Sequence, residues 1–290
     1  MWVRHLSSLQ FLSYAAFFGV VIAAVFAFLP GRKPPVRTEP FSDDELGRHD
    51  GKLAKYFVTG GAFLVLGSVH MVVKNLPWTA EWLASAGYAG HLVRDLANTH
   101  LMIVGGGTLI ATGLCWYVLP RIVGRPLASD GLAQGAFWFT AGGLTVFYVA
   151  FVANGIAIGM RVRDGWEYQA AKASMGDWYR APVGMGAGVM GIGYWCFAAT
   201  VFATIFQARL VRVPKPNGHL WKFLATGAAG LTVGTVQGVI QVQPSNASWL
   251  FRAGHAGEWI DPIAHAHINL VTGLTMLVWA VAVALALGFG

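Results

Sequence analysis

Two histidines near the C-terminus, His265 and His267, have the spacing and surroundings of metal ligands in a membrane protein. They lie in the run I-A-H-A-H-I-N-L-V-T-G, residues 263–273, where a long apolar segment begins. Two positions on an α-helix are about 200° apart, so the two imidazoles would point to opposite sides of one helix. An ionisable side chain at the edge of hydrocarbon is costly and usually has a function. The alternative is that both rings lie in the headgroup zone and bond to water or to loops.

A third histidine, His100, is expected at a similar depth on the same side of the membrane. It lies near the beginning of another apolar run, R-D-L-A-N-T-H-L-M-I-V-G-G-G. Imidazole is a common axial ligand of haem iron, so two facing helices could offer one histidine to each face of a haem. The motif C-x-x-C-H does not occur, and Cys115 and Cys196 both fall within apolar runs, so a haem would be held without covalent attachment. The pattern predicts a b-type haem.

The composition is that of a protein that crosses the membrane several times. Hydrophobic residues make up 56% of the 290 residues and charged residues only 11%. The apolar runs long enough to span a bilayer are residues 10–30, 54–76, 98–120, 132–157, 182–208, 220–243 and 262–289. They predict an all-α, polytopic bundle of about seven transmembrane helices. Residues 1–52 form the first helix and a cytoplasmic connector, and residues 53–290 form a six-helix haem-binding domain. The sequence suggests no nucleotide-binding loop, hydrolytic triad or internal repeat.

The net charge of +7 follows the membrane and does not indicate a nucleic-acid partner. With seven spans, one side collects twelve of the 20 basic residues. By the positive-inside rule this side is cytoplasmic. We therefore expect a multi-pass protein of the bacterial inner membrane, with its N-terminus in the periplasm and its C-terminus in the cytoplasm.

Three further side chains are candidates for the same site. His70 lies in the last third of the second apolar run, where it could be a polar packing residue, a quinone contact or a ligand. Arg94 and Arg252, on the same side as the candidate ligands, could pair with haem propionates or face lipid headgroups. Gly105, Gly106 and Gly107 follow His100; they favour close helix contact or, equally, room for a flat macrocycle.

These motifs resemble the catalytic subunit of the haem-copper oxidase superfamily, most closely its nitric oxide reductase and C-family oxidase branches. The resemblance rests on His100, on the H-A-H of residues 265–267, and on W-Y-V-L-P-R-I-V-G-R-P at the end of the third run. It implies that His100 and His267 hold a six-coordinate low-spin haem. It also implies that His265 faces a second haem position.

The departure from that family is as informative as the match. Between Ala208 and Leu231 the family has four more helices, which carry the histidines that hold copper or non-haem iron. Here that interval contains only His219, in a Pro-rich stretch. The resemblance therefore implies a fragment of the fold with its low-spin haem, and no copper.

The predicted function is that of a membrane cytochrome b within a respiratory complex. It would pass electrons between a periplasmic cytochrome c, or another redox subunit, and the quinone pool or another membrane haem. One haem b is expected, and a second on His265, with His70 opposite, is a further hypothesis. The alternatives are a haem-dependent reductase of a small molecule such as nitric oxide, and a haem sensor or assembly protein.

Overall fold

The computed structural model describes residues 43–209, 218–241, 246, 249–250 and 252–288. All the secondary structure within these ranges is helical. The predicted first span, residues 10–30, and most of the predicted N-terminal unit 1–52 lie outside the described residues.

Nine helices organise the described part of the chain. In chain order they are α1 Asp43–Gly51, α2 Ala54–Lys74, α3 Pro77–Ser85, α4 Tyr88–Val123, α5 Asp130–Arg163, α6 Tyr168–Ala173, α7 Asp177–Arg209, α8 Trp221–Gln241 and α9, residues 255–287. The 3₁₀ turn Gly218–Leu220 leads into α8.

Five of the described helical stretches are long and apolar enough to cross a membrane. They are Asp44–Lys74, Tyr88–Val123, Asp130–Arg163, Asp177–Gln207 and His265–Leu287. Helix α8, with 21 residues, occupies the predicted run 220–243 but is not one of these five. The prediction of a polytopic all-α bundle is confirmed at this level, and the count of seven spans stays a prediction.

The core of the bundle lies around the second half of α4. Trp116, Val118 and Leu119 on this stretch are fully buried. Helices α5 and α7 pack side by side with almost no space between their backbones. A Cβ atom added to Gly143 would lie 2.8 Å from the carbonyl oxygen of Gly186, so only glycine permits this approach.

Polar contacts gather at the end of the bundle where α4 ends. Arg121 donates two hydrogen bonds to the Asp50 carboxylate, at 3.1 and 2.7 Å. Lys52 forms an ion pair with Asp130 at 2.7 Å, and Arg125 donates to the carbonyl of Gln207 at 2.8 Å. Three of the basic residues predicted to share one side of the membrane, Lys52, Arg121 and Arg125, therefore lie at the same end of the bundle, two of them with carboxylate partners.

An internal repeat relates the beginning of the described chain to its end, so the prediction that no repeat is present is wrong. Helices α2 and α8 have equal lengths, and α8 begins and ends 167 residues after α2. With the same offset, residues 82–109 match residues 249–276 at 11 of 28 positions. The identical residues are the pairs Trp-Leu, Ala-Gly and Ala-Gly, followed by single Ala, His, Val, Gly and Thr positions. The matched histidines are His100 and His267. We call residues 54–123 repeat A and residues 221–287 repeat B.

The backbones of the two repeats confirm this relation independently of side-chain identity. Gly87 has φ 58° and ψ −131°, and Gly254 has φ 56° and ψ −131°, a conformation that favours glycine. Three residues further on, Gly90 and Gly257 each lie against the carbonyl of the residue seven positions earlier. Both long helices thus begin after the same sharp turn.

The helix contacts within each repeat also coincide. A Cβ atom on Gly60 of α2 would lie 3.1 Å from the carbonyl oxygen of Gly106, and one on Gly227 of α8 would lie 3.0 Å from that of Gly273. Each repeat is therefore a helix pair that crosses at matching glycines.

Helices α4 and α9 share an uncommon local geometry. Their first halves contain π-helical turns, at Leu92–Ala97 and His100–Gly107 in α4 and at Trp259–Ala264 and Ile268–Thr275 in α9. Such turns are rare and are often found at functional sites.

Two helices, α5 and α7, separate repeat A from repeat B. Both are long and apolar enough to cross a membrane, and two crossings would bring the chain into repeat B from the same side as into repeat A. The repeats are then parallel, as in transporters whose halves are related by an axis along the membrane normal. Equivalent residues of the two repeats would then lie at equal depth in the membrane. We call the end where α4 and α9 begin the Tyr88 end.

Candidate functional site

His100 and His267 occupy equivalent positions and make equivalent hydrogen bonds. The Nδ1 atom of His100 lies 2.7 Å from the carbonyl oxygen of Leu96, and that of His267 lies 2.8 Å from the carbonyl oxygen of Ile263. A carbonyl only accepts, so Nδ1 is the donor in both rings. Each neutral ring therefore has its lone pair on Nε2, the atom that would bind a metal.

The surroundings of these two rings differ. His100 is half-buried against α5, with ring centroids 4.8 Å from Phe147 and 6.5 Å from Phe151. The second contact is nearly parallel, at 16°. His267 is exposed with respect to the described residues. The His100 ring thus packs against aromatic side chains, whereas the His267 ring lies on an exposed face of the described residues.

His265 lies on the side of α9 that faces α8. A Cβ atom on Gly238 would be 2.8 Å from its Cε1 atom, so the absence of a side chain at position 238 makes room for the ring. The side-chain amide of Asn269 lies 3.5 Å from both ring nitrogens and donates to the His265 carbonyl at 3.0 Å. His265 is also close enough to His100 for the two rings to interact electrostatically.

Repeat A has different residues at the positions of His265 and Gly238. They are Asn98, which is 2% exposed, and Met71, whose sulfur lies 4.0 Å from the Asn98 amide nitrogen. Within the described part of the chain, the side-chain oxygen of Asn98 has no hydrogen-bond partner. The pair His265 and Gly238 is therefore specific to repeat B, whereas His100 and His267 are common to both repeats.

His70 of α2 contacts a side chain of α5. Its Nδ1 atom lies 2.9 Å from the Tyr148 hydroxyl, and the ring also lies near the backbone of Val93. The equivalent residue in repeat B, Gln237, donates to the carbonyl of Ile260 at 3.1 Å, and Ile260 is the equivalent of Val93. In both repeats a polar side chain at this position thus lies beside a π-helical turn, at Val93 of α4 and at Ile260 of α9. Of the three roles considered for His70, these contacts fit that of a polar packing residue.

The two candidate arginines, Arg94 and Arg252, do not occupy equivalent positions in the two repeats. Arg94 is exposed, and its Nε donates to Asp95 at 2.9 Å, so its charge already has a carboxylate partner. Arg252 is exposed on the stretch that precedes α9. The offset of 167 does not relate them, since Arg94 aligns with Asp261.

The three glycines after His100 serve mainly for helix contact. A Cβ atom on Gly105 would collide with Leu144, and one on Gly106 would collide with Leu64. Only Gly107, which faces Leu274 of α9 at 3.6 Å from the Cβ position, lies between the two histidine-bearing helices.

The donor set can be compared with the needs of a haem. An axial haem ligand needs a neutral imidazole with a free Nε2 and a fixed ring, and a hydrogen bond from Nδ1 to a carbonyl supplies both. His100 and His267 meet these requirements. Within the described ranges there is no cluster of three or more His, Cys, Asp or Glu side chains that could hold a metal ion by itself.

Several of these residues could not be identified from residue types alone. The residue types of Asn98, Met71 and Gly238 do not by themselves indicate a site. Their relation to the site becomes clear only when the two repeats are aligned. The signal available in the sequence was the spacing of W-L-x-x-A-G-x-A-G before each histidine segment. Comparison with protein-family models, with curated proteins and with solved structures gives no match.

Proposed function

We propose that this chain is a membrane cytochrome b, in which His100 and His267 are the axial ligands of one low-spin haem. The observation that carries the proposal is the equivalence of the two histidines in parallel repeats, each with Nδ1 donating to a carbonyl. Equivalence supports equal depth, and the shared tautomer supports ligation through Nε2 by both rings.

The roles of the protein groups follow from their contacts. The carbonyls of Leu96 and Ile263 accept hydrogen bonds from Nδ1 and so orient the imidazoles. These hydrogen bonds also make each Nε2 a better electron donor to a metal. Phe147 and Phe151 would keep water from the His100 side. When bound, the haem would supply a centre that gains and loses one electron without bond making.

The position of the site along the helices supports exchange of electrons at the Tyr88 end. His100 is twelve residues from Tyr88, which is about 18 Å along a helix, and more than twenty residues from Val123, which is over ~30 Å. By the positive-inside argument this end is periplasmic. We therefore propose a periplasmic cytochrome c or another redox subunit as one partner, and the quinone pool or another membrane haem as the other.

We propose one haem for each chain, with His265 beside it. The His265 ring is packed at Gly238, and the His70 ring contacts the Tyr148 hydroxyl. A second haem held by these two histidines would require both rings to leave these contacts.

The ligand assignment is tested by His100→Ala and His267→Ala in the purified full chain. Each variant should lose the low-spin α-band and at least most of its haem. Free imidazole should restore part of the band, because it can occupy the space of the missing ring. The control is His91→Ala, on the same helix, whose ring bonds to Asp95 at 2.7 Å. Normal spectra and full haem content in both ligand variants would refute the assignment.

A further inference from the structure

In both repeats, a polar side chain at the end of the first helix donates to a backbone carbonyl of the second helix. In repeat B, the side-chain amides of Gln241 and Gln237 on α8 both donate to the Ile260 carbonyl, at 2.9 and 3.1 Å. In repeat A, the Lys74 ammonium on α2 donates to the Arg94 carbonyl at 2.8 Å. The offset of 167 relates Lys74 to Gln241, and the two acceptors differ by one position in this alignment. We call Lys74, Gln237 and Gln241 the turn clamp.

The Ile260 carbonyl lies in the same π-helical turn that orients His267. This turn, Trp259–Ala264, also contains Ile263, whose carbonyl binds Nδ1 of the His267 ring. A carbonyl oxygen has two lone pairs, so the Ile260 oxygen can accept from both glutamines. Because Gln241 is only 5% exposed, its hydrogen bond is shielded by the packed bundle. The two glutamines therefore hold this turn against α8.

Repeat A has the same arrangement, with a lysine in place of the buried glutamine. The carbonyl that Lys74 binds lies in the turn Leu92–Ala97, together with Leu96, whose carbonyl binds Nδ1 of His100. The Lys74 side chain is 12% exposed and also lies 3.7 Å from the Asp95 carboxylate. A neutral amide and a charged ammonium thus make the same kind of contact, and the feature that they share is an N–H donor.

We infer that the turn clamp positions the two candidate haem ligands, an inference that rests on the proposed function. Groups beyond the direct ligands of a metal commonly fix the orientation of those ligands. Here the clamp holds the π-helical turn, the turn presents a carbonyl, and the carbonyl orients the imidazole. The clamp acts through the turn and not by contact with the haem. Loss of its donor should let the turn move, so that the ring no longer stays on the iron.

Two substitutions of Lys74 separate the donor from the rest of the side chain. Lys74→Gln and Lys74→Met both remove the charge beside Asp95, but only glutamine retains an N–H donor. In the purified full chain, Lys74→Gln should keep the low-spin α-band, because Gln241 provides the same donor in repeat B. Lys74→Met should convert part of the haem to a high-spin form that binds carbon monoxide after reduction.

The spectra also distinguish failure of this inference from failure of the proposed function. Equal low-spin spectra of Lys74→Gln, Lys74→Met and the unmodified chain would overturn the inference alone. An unmodified chain that contains no haem would overturn the proposed function and the inference with it.

Hydrogen exchange in repeat B measures directly whether the clamp holds the turn. With Gln237→Met and Gln241→Met combined in the full chain, backbone amides of Trp259–Ala264 should exchange roughly tenfold faster, because lost hydrogen bonds lower the free energy of local opening. The control is Thr232→Val, which removes a hydroxyl that donates to the Ala228 carbonyl within α8 at 2.8 Å. This control should leave the exchange of the turn unchanged. Equal exchange in the double variant and the control would overturn the inference.

Discussion

At the scale of single residues, the site depends on which positions the two repeats share. His100 and His267 are shared, together with the carbonyls that bind their Nδ1 atoms. His265 has no histidine counterpart, since Asn98 stands in its place. A residue common to both repeats can serve a ligand that lies between them, and a residue present in one repeat marks how that repeat has diverged.

The fit of His265 against α8 gives a prediction about Gly238. Gly238→Ala places a Cβ atom 2.8 Å from the ring carbon Cε1, so the ring must move. We expect a loss of stability of about 1–3 kcal/mol, typical of overpacking. Thermal unfolding in detergent measures it.

The control for this prediction is Gly142→Ala, where the new methyl group meets no atom within 4 Å. That variant should be neutral or slightly more stable, because alanine favours helix by up to ~1 kcal/mol over glycine. Equal stabilities of the two variants would mean that the His265 ring is not packed against α8.

At the scale of the helices, the matching glycines fix how each repeat crosses. Gly106 lies against Leu64 and Gly273 against Leu231, which are equivalent pairs. The existence of most long helices could be predicted from the sequence, because runs of about 20 apolar residues suffice to indicate them. The π-helical turns could not, because no pattern of residue types predicted them; they became visible only in the packed structure, where Gln237 donates to the Ile260 carbonyl within one of these turns.

The glycine contacts predict parallel effects in the two repeats. Gly106→Ala and Gly273→Ala should each lower stability by about 1–3 kcal/mol, because the new methyl group meets a leucine of the preceding helix. Gly107→Ala should have little effect, since its nearest neighbour would be 3.6 Å away. Unfolding temperatures of the three variants give the comparison. A tolerated Gly273→Ala beside a damaging Gly106→Ala would contradict equivalent packing.

At the scale of the whole molecule, the structure is two parallel helix pairs with α5 and α7 between them. The equal depth of His100 and His267 was predicted from alternating loops, and the equivalence of the two residues in the repeat supports this prediction. The repeat itself escaped prediction because 17 of the 28 aligned positions around the histidines differ. What is retained is mainly small residues at helix contacts, whose importance is visible only in the packed structure.

The orientation of the bundle in the membrane is a separate prediction. Trp166, 50% exposed between α5 and α6, lies at the Tyr88 end, and Lys52, with a side chain 52% exposed, lies at the other. A membrane-impermeant maleimide should label Trp166→Cys in intact cells, and should label Lys52→Cys only after permeabilisation. The reverse pattern would invert the topology.

The most direct test of the central claim is a reduced-minus-oxidised spectrum of the purified chain, with haem quantified for each polypeptide. The account predicts one b-type haem per chain, with the sharp α-band of a low-spin, bis-histidine haem. It also predicts that the reduced protein does not bind carbon monoxide, because both axial positions are filled. A chain that purifies folded without haem, or a haem that is high-spin and binds carbon monoxide, would contradict it.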